Sequence, residues 1–266
     1  MVKCMIFGDT KSSNSISSWF QDYIKSFHPK SADQIDAFQI KITHSYNVKK
    51  IMHELASGLN WSENDIEIAE VIGLLHDVAR FPQYHHFQTF HDKKSFDHGD
   101  YAEKIIREHQ ILTNFSSTEQ SIILSSVKNH NKKMLAISSN TEALKFAKLI
   151  RDADKLDIYR FVCPLYENDP PDLAECIKLS WPHKPKITQA IVKLFLNEKT
   201  IDFSYIKYVN DFKIAQLAWI FDINYDISLK WLIKNKFPSI IINSLPDIRI
   251  QKNLFHKLEH YFSLST

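Results

Sequence analysis

Glycine is almost missing: the 266 residues contain four, Gly8, Gly58, Gly73 and Gly99. Sheets use glycine at many turns and bulges, so this scarcity argues against β-rich architectures and favours helices joined by polar loops. Cysteine is sparser still. Cys4, Cys163 and Cys176 are odd in number and lack any Cys-x-x-Cys spacing, which fits a reducing compartment and excludes a disulfide framework or a zinc ribbon. No stretch approaches the ~20 uninterrupted apolar residues of a membrane span, and Met1 to Ser18 lacks the apolar core of a signal peptide. Neither charge dominates: 33 Lys and Arg against 31 Asp and Glu give +2, which implies no extended nucleic-acid footprint. Repeats, low-complexity tracts and heptads are also missing. What remains is a soluble, cytoplasmic protein, 44% hydrophobic and 24% charged, long enough to bury a sizeable core.

Apolar residues recur at helical spacing along most of the chain. Ile16, Trp19, Phe20, Tyr23, Ile24 and Phe27 predict a docking helix stopped by Pro29. A second helix spans about Ala32 to Leu59, with room for a break near Thr43 and Gly58 at its end. At ~100° per residue, Ile40, His44, Val48, Ile51 and Leu55 share a stripe, so His44 points inward and His53 to the wet side. Ser62-Glu63-Asn64-Asp65 opens a third helix as an approximate capping box. That helix is apolar on nearly all sides, which marks it as central, and it delivers His76-Asp77 at its end. Phe81 to Asp97 reads as a long connection crowded with His85, His86, His91, Asp92 and several aromatic residues. Asp97-His98-Gly99 begins another helix, and Ser117-Thr118-Glu119-Gln120 caps a further one that ends at Asn129-His130-Asn131.

The helix from Thr141 to Phe161 is the most informative. Ala143, Ala147, Ile150, Asp154, Ile158 and Phe161 form one stripe in which Asp154 is the only charge, whereas Asp152 falls almost opposite, beside Lys145 and Lys148. A carboxylate among apolar groups is costly unless it is paired. His44, His76, Asp77 and Asp154 therefore each stand at an apolar helix face or helix end, and imidazole with carboxylate suits a divalent metal. Two histidines and two carboxylates can hold one ion with open positions. With His98 and His130 added, six ligands and a bridging carboxylate can hold two. The geometry prefers Asp154 as the last ligand and leaves Asp152 as the alternative.

In this order, His44, His76-Asp77 and the Asp154 of Arg151-Asp152-Ala153-Asp154-Lys155-Leu156-Asp157 resemble the H…HD…D signature of the HD-domain superfamily of metal-dependent phosphohydrolases. The text His76-Asp77-Val78-Ala79-Arg80-Phe81, Asp97-His98-Gly99 and His130-Asn131 resembles a hydrolase-like branch, and the likeness covers roughly Lys41 to Arg160. The resemblance implies an all-α, HD-domain-like helical bundle with additional C-terminal helices. It also implies His44, His76, Asp77 and Asp154 as metal ligands, with His98 and His130 either holding a second ion or lining the substrate phosphate. On chemistry alone, Arg80 and Lys155 are cations able to hold phosphate oxygens, and Lys155 joins Asp77, His98 and His130 in the catalytic set. The loop histidines read as wet.

The reaction this implies is hydrolysis of a phosphoester or phosphoanhydride by a metal-activated water attacking in line. Its cofactor is one or two divalent ions drawn from Mn, Mg, Zn, Ni, Co or Fe. The aromatic loop before His98 suggests a nucleotide as the small phosphorylated substrate, with no nucleic-acid or membrane partner and compatibly with a homo-oligomer. The alternatives are a non-catalytic nucleotide-binding sensor, a helical adaptor with a structural metal, and a di-iron oxygenase on the same scaffold. Five of nine prolines lie between Cys163 and Lys186. They divide the chain into a metal-binding helical domain (residues 1–162), a proline-rich crossover (163–186) and a C-terminal helical subdomain (187–266). Helices are expected there over Ile187 to Asn197, Phe203 to Phe221, Ile227 to Lys234 and Ile248 to Phe262, with Trp219, Phe221 and Trp231 in the core.

Overall fold

A computed structural model describes residues 11–135, 141–169, 181–198 and 200–265. Cys4, Cys176, Pro170, Pro171 and the middle of the expected crossover, residues 170–180, lie outside the described residues. Among the described residues every regular element is a helix, and none is long and apolar enough to cross a membrane. By its internal contacts the chain divides into two compact units, Met1–Asp154 and Lys155–Thr266.

The first unit starts with α1 (Lys11–Lys25), which buries Ile16, Phe20 and Ile24, as its spacing predicts. α2 (Ala32–Gly58) begins where the Ser31 hydroxyl accepts from the Gln34 amide, and it runs without the break allowed near Thr43. It ends at Gly58, as expected, and Asn60 beyond it takes the left-handed conformation with φ 56°. Ile40 is 37% exposed, at the rim of the stripe that buries Ala37, His44, Val48, Ile51 and Leu55.

α3 (Glu63–Leu75) is capped by Ser62, which accepts from the Asp65 amide, and everything from Ile68 to Leu75 except Glu70 is buried. It packs on α2 through Gly73, where a Cβ would meet the Lys49 Cα at 2.8 Å. α4 (Arg80–Phe87) replaces the first half of the expected long connection. Pro82 concealed it. In the first helical turn a missing N–H costs no intrahelical bond, so proline is tolerated there. A short 3-10 turn, Asp92–Lys94, follows.

α5 (His98–Glu108) starts at the Asp97 cap, and α6 (Ser117–Asn129) starts one residue earlier than the expected box. The reciprocal bonds join Ser116 and Glu119: the hydroxyl accepts from the Glu119 amide and the carboxylate from the Ser116 amide. α5 and α6 approach closely at Gly99, where a Cβ would meet the Lys128 carbonyl at 2.5 Å. α7 (Thr141–Asn168) runs past the expected end and through the exposed Pro164, and the boundary between the units falls inside it, after Asp154.

The second unit continues with α8 (Gln189–Leu196), α9 (Val209–Leu217), a 3-10 turn at Ala218–Asp222, α10 (Asp226–Lys234), α11 (Phe237–Asn243) and α12 (Ile248–Ser265). α11 has no counterpart among the expected helices. The unit's core combines Ile214, Leu217, Ile220, Leu232, Ile241 and Leu254 with the buried rings of Tyr159, Tyr166 and Phe195. Trp219, Phe221 and Trp231, expected inside, are only half-buried.

Candidate metal centre

Each histidine of the centre is fixed by the helix end or face that carries it. His44 projects from the middle of α2, on the buried stripe. His76 caps α3 and is completely buried, and Asp77 follows in the tight turn into α4, 3% exposed. His98 is the first residue of α5, His130 caps α6, and Asp154 lies within α7. Helix ends keep their side chains close to fixed backbone, so the six residues converge within one unit.

Three overlapping groups have ligand atoms within 4.8 Å of one another: His44, His76 and Asp77; His76, His130 and Asp154; Asp77, His98 and His130. Asp77 links them. Its Oδ2 is 3.7 Å from both His44 Nε2 and His76 Nε2, and its Oδ1 is 3.6 Å from His98 Nε2 and 3.7 Å from His130 Nε2. Asp154 Oδ1 lies 3.0 Å from His44 Nε2 and 3.9 Å from His76 Nε2.

The proton positions follow from the partners. His76 Nδ1 donates to the Gly73 carbonyl at 2.8 Å, His130 Nδ1 to the Val127 carbonyl at 2.7 Å, and His98 Nδ1 to Asp92 Oδ2 at 2.6 Å. A carbonyl can only accept, so each neutral ring spends its one proton at Nδ1 and turns the Nε2 lone pair inward. His98 Nε2 and His130 Nε2 then face each other at 3.0 Å, and His76 Nε2 faces His44 Nε2 at 3.2 Å. Lone pairs and carboxylate oxygens converging at this range are a donor set that fits divalent cations.

Electrostatics agree. Burial lowers the pKa of His76 to about 3, and burial with the nearby Arg80 lowers that of His98 to about 4, so both rings stay neutral and ligating. Burial alone would raise the Asp77 carboxyl, but Lys41, His76 and Arg80 hold it well below the usual range. For Asp154 the opposing groups are His44 and His76, and its carboxyl is lowered too. Both carboxylates are therefore charged.

Of the other expected site residues, Arg80 lies at the centre, its Nε 3.3 Å from Asp77 Oδ1, and Lys155 does not. The Lys155 ammonium is engaged by Asp222, 2.7 Å from Oδ2 and 2.9 Å from the carbonyl oxygen. Arg80 is tied into a network around Asp92, which also accepts from Gln83 Nε2 at 3.0 Å and holds His98. His86 and His91 are exposed and His85 half-buried. His53, expected on the wet side, is half-buried, its Nδ1 2.6 Å from Glu70 Oε1. Asp152, expected in solvent, is fully buried, because α7 is enclosed on most sides at Leu149, Ile150, Ala153, Leu156 and Asp157.

Two residues at the centre had not been singled out. Asp92 lay in the stretch read as a loop. Lys41 stands one helical turn before His44, a spacing that puts both on neighbouring positions of α2, and its Nζ is 2.6 Å from Asp77 Oδ2.

The fold and the centre define a helical protein with a buried His/Asp site able to hold metal. Residues 42–159 match the family model for the HD domain. Within that span the buried His/Asp cluster fits a metal-binding HD motif; HD domains form a metal-dependent, phosphohydrolase-like superfamily in which hydrolases are general. No curated protein and no solved structure matches the chain.

Proposed function

We propose that this domain hydrolyses a phosphoester or phosphoanhydride of a small substrate, with two divalent cations held across Asp77. One observation carries the reading: the two oxygens of Asp77 face different histidine pairs, His44 with His76 and His98 with His130. Asp154 completes the first set. When bound, such ions acidify a water and neutralise charge on phosphoryl oxygens.

The chain's own residues do the rest. Gly73 and Val127 carbonyls and the Asp92 carboxylate fix the ring tautomers, so the donor atoms need no rearrangement. Burial of His76, Asp77, His98 and His130 keeps the reacting face dry. We favour a nucleotide as substrate, because the half-buried ring of Phe90 lies beside both Lys41 and Arg80, 5.4 Å and 5.9 Å from its centroid.

The test is phosphate release by protein stripped of metal and reloaded with Mn, Mg, Zn, Ni, Co or Fe, against a generic phosphoester and a nucleotide panel. The expected result is metal-dependent turnover that Asp77→Ala abolishes together with metal binding. Stoichiometric metal without turnover on any substrate would replace hydrolysis with the sensor or oxygenase reading.

A further inference from the structure

Two protein cations touch Asp77, one on each oxygen, and their surroundings differ. Arg80 is held at all three of its nitrogens by protein groups. Its Nε points to Asp77 Oδ1 at 3.3 Å, and Nη2 lies 3.2 Å from His98 Nε2. Nη1 serves Gln83 Oε1, the Phe90 carbonyl and Asp92 Oδ1 at 2.7, 2.6 and 2.9 Å. A guanidinium held by five groups on three segments is a strut.

Lys41 is the opposite case. An ammonium offers three N–H donors, and among the described residues this one meets a single hydrogen-bond acceptor, Asp77 Oδ2 at 2.6 Å, besides the face of Phe90. Two donors are left over beside a buried anion. Exposure gives the direction of approach: the side chains of His44, His76, Asp77, His98 and His130 are all below 10% exposed, whereas Lys41 is 18% and Asp154 25% exposed. Lys41 and Asp154 thus stand at an open edge of the centre; Asp92, 30% exposed, stands at another, but its carboxylate is an anion that would repel phosphate.

Resting on the phosphohydrolase reading, we propose that Lys41 is the substrate-anchoring cation of this centre, donating its spare N–H groups to the phosphoryl oxygens of the substrate. Of the cations that the sequence offers for that task, Arg80 is braced by five protein groups and Lys155 is engaged by Asp222. A flexible ammonium with two donors in reserve suits a phosphoryl group that must arrive and leave better than a braced guanidinium does.

The experiment is calorimetric titration of the Mn-loaded full chain with inorganic phosphate, for wild type, Lys41→Met and Lys41→Arg, with metal content measured on the same samples. The expected result is unchanged metal content in both variants. Phosphate affinity should fall roughly ten- to hundredfold in Lys41→Met, the loss of charge-assisted hydrogen bonds, and recover largely in Lys41→Arg. Phosphate binding equal to wild type in Lys41→Met would overturn the assignment and leave the phosphohydrolase reading standing. Loss of metal from Lys41→Met would also overturn it, by making Lys41 a counter-charge for Asp77. A wild type that holds metal but neither binds phosphate nor hydrolyses any phosphoester would overturn both.

Discussion

The two units bury polar side chains in similar depth and to different ends. In the second unit Asp211 is fully buried, and its carboxylate accepts from the Thr188 amide and hydroxyl and from the Lys207 and Tyr208 amides at 2.7 to 3.1 Å. Lys213, equally buried, donates to the Ser244 carbonyl and Asp169 and lies over the Tyr166 ring. Every one of these donors meets an acceptor. In the first unit His98 and His130 turn lone pairs toward each other at 3.0 Å, with their protons committed at Nδ1. A buried carboxylate whose donors the protein supplies is architecture, whereas two imidazole lone pairs turned toward one another, with Arg80 Nη2 3.2 Å from His98 Nε2, make a site that a cation would complete.

That contrast can be broken from either side. Asp211→Ala removes the acceptor of four donors, so it should lower stability by about 2–5 kcal/mol. The remaining folded protein should keep its full metal content, measured by denaturant melts beside metal analysis, and coupled losses of both would blur the distinction. Asp92→Asn is expected to act on the other side, because it weakens the hold on His98. Metal affinity should fall roughly 10–100-fold for part of the bound ions only, which a metal titration reads as one weakened class of site; a uniform loss would assign Asp92 a purely structural role.

The graded effect comes from protons. His76 and His98 refuse protons until about pH 3 and about pH 4 in the folded chain, whereas in the unfolded chain they titrate near ~6.5. Between about 6.5 and 4 the unfolded state binds more protons, so the metal-free protein should lose stability as pH falls through that window. Melting temperatures of chelator-treated protein should drop from about pH 7 to about pH 5, and a flat profile would contradict neutral buried rings.

Much of the centre was legible from sequence because its residues sit where helical periodicity can be read. His44 interrupts an apolar stripe, Asp154 is the only charge in another, and His76, His98 and His130 adjoin helix termini marked by capping residues or apolar runs. Scarce glycine and helical periodicity favoured helices, and two of the four glycines, Gly73 and Gly99, turn out to stand where helices carrying the histidines leave no room for a Cβ. What periodicity could not show depends on packing between elements. Asp152 looked solvated because its own helix gives no sign of the neighbours that enclose α7. Asp92 was one acid in a polar stretch until the 3-10 turn carried it to His98, and Pro82 disguised α4 as loop. Lys41 lay beside the stripe without belonging to it.

The central claim is that Asp77 bridges two cation sites. Metal analysis of Mn-reconstituted, desalted protein tests it most directly: the expected result is two ions per chain in the wild type and a collapse of both in Asp77→Ala. A single ion in the wild type, or two that survive loss of Asp77, would contradict it.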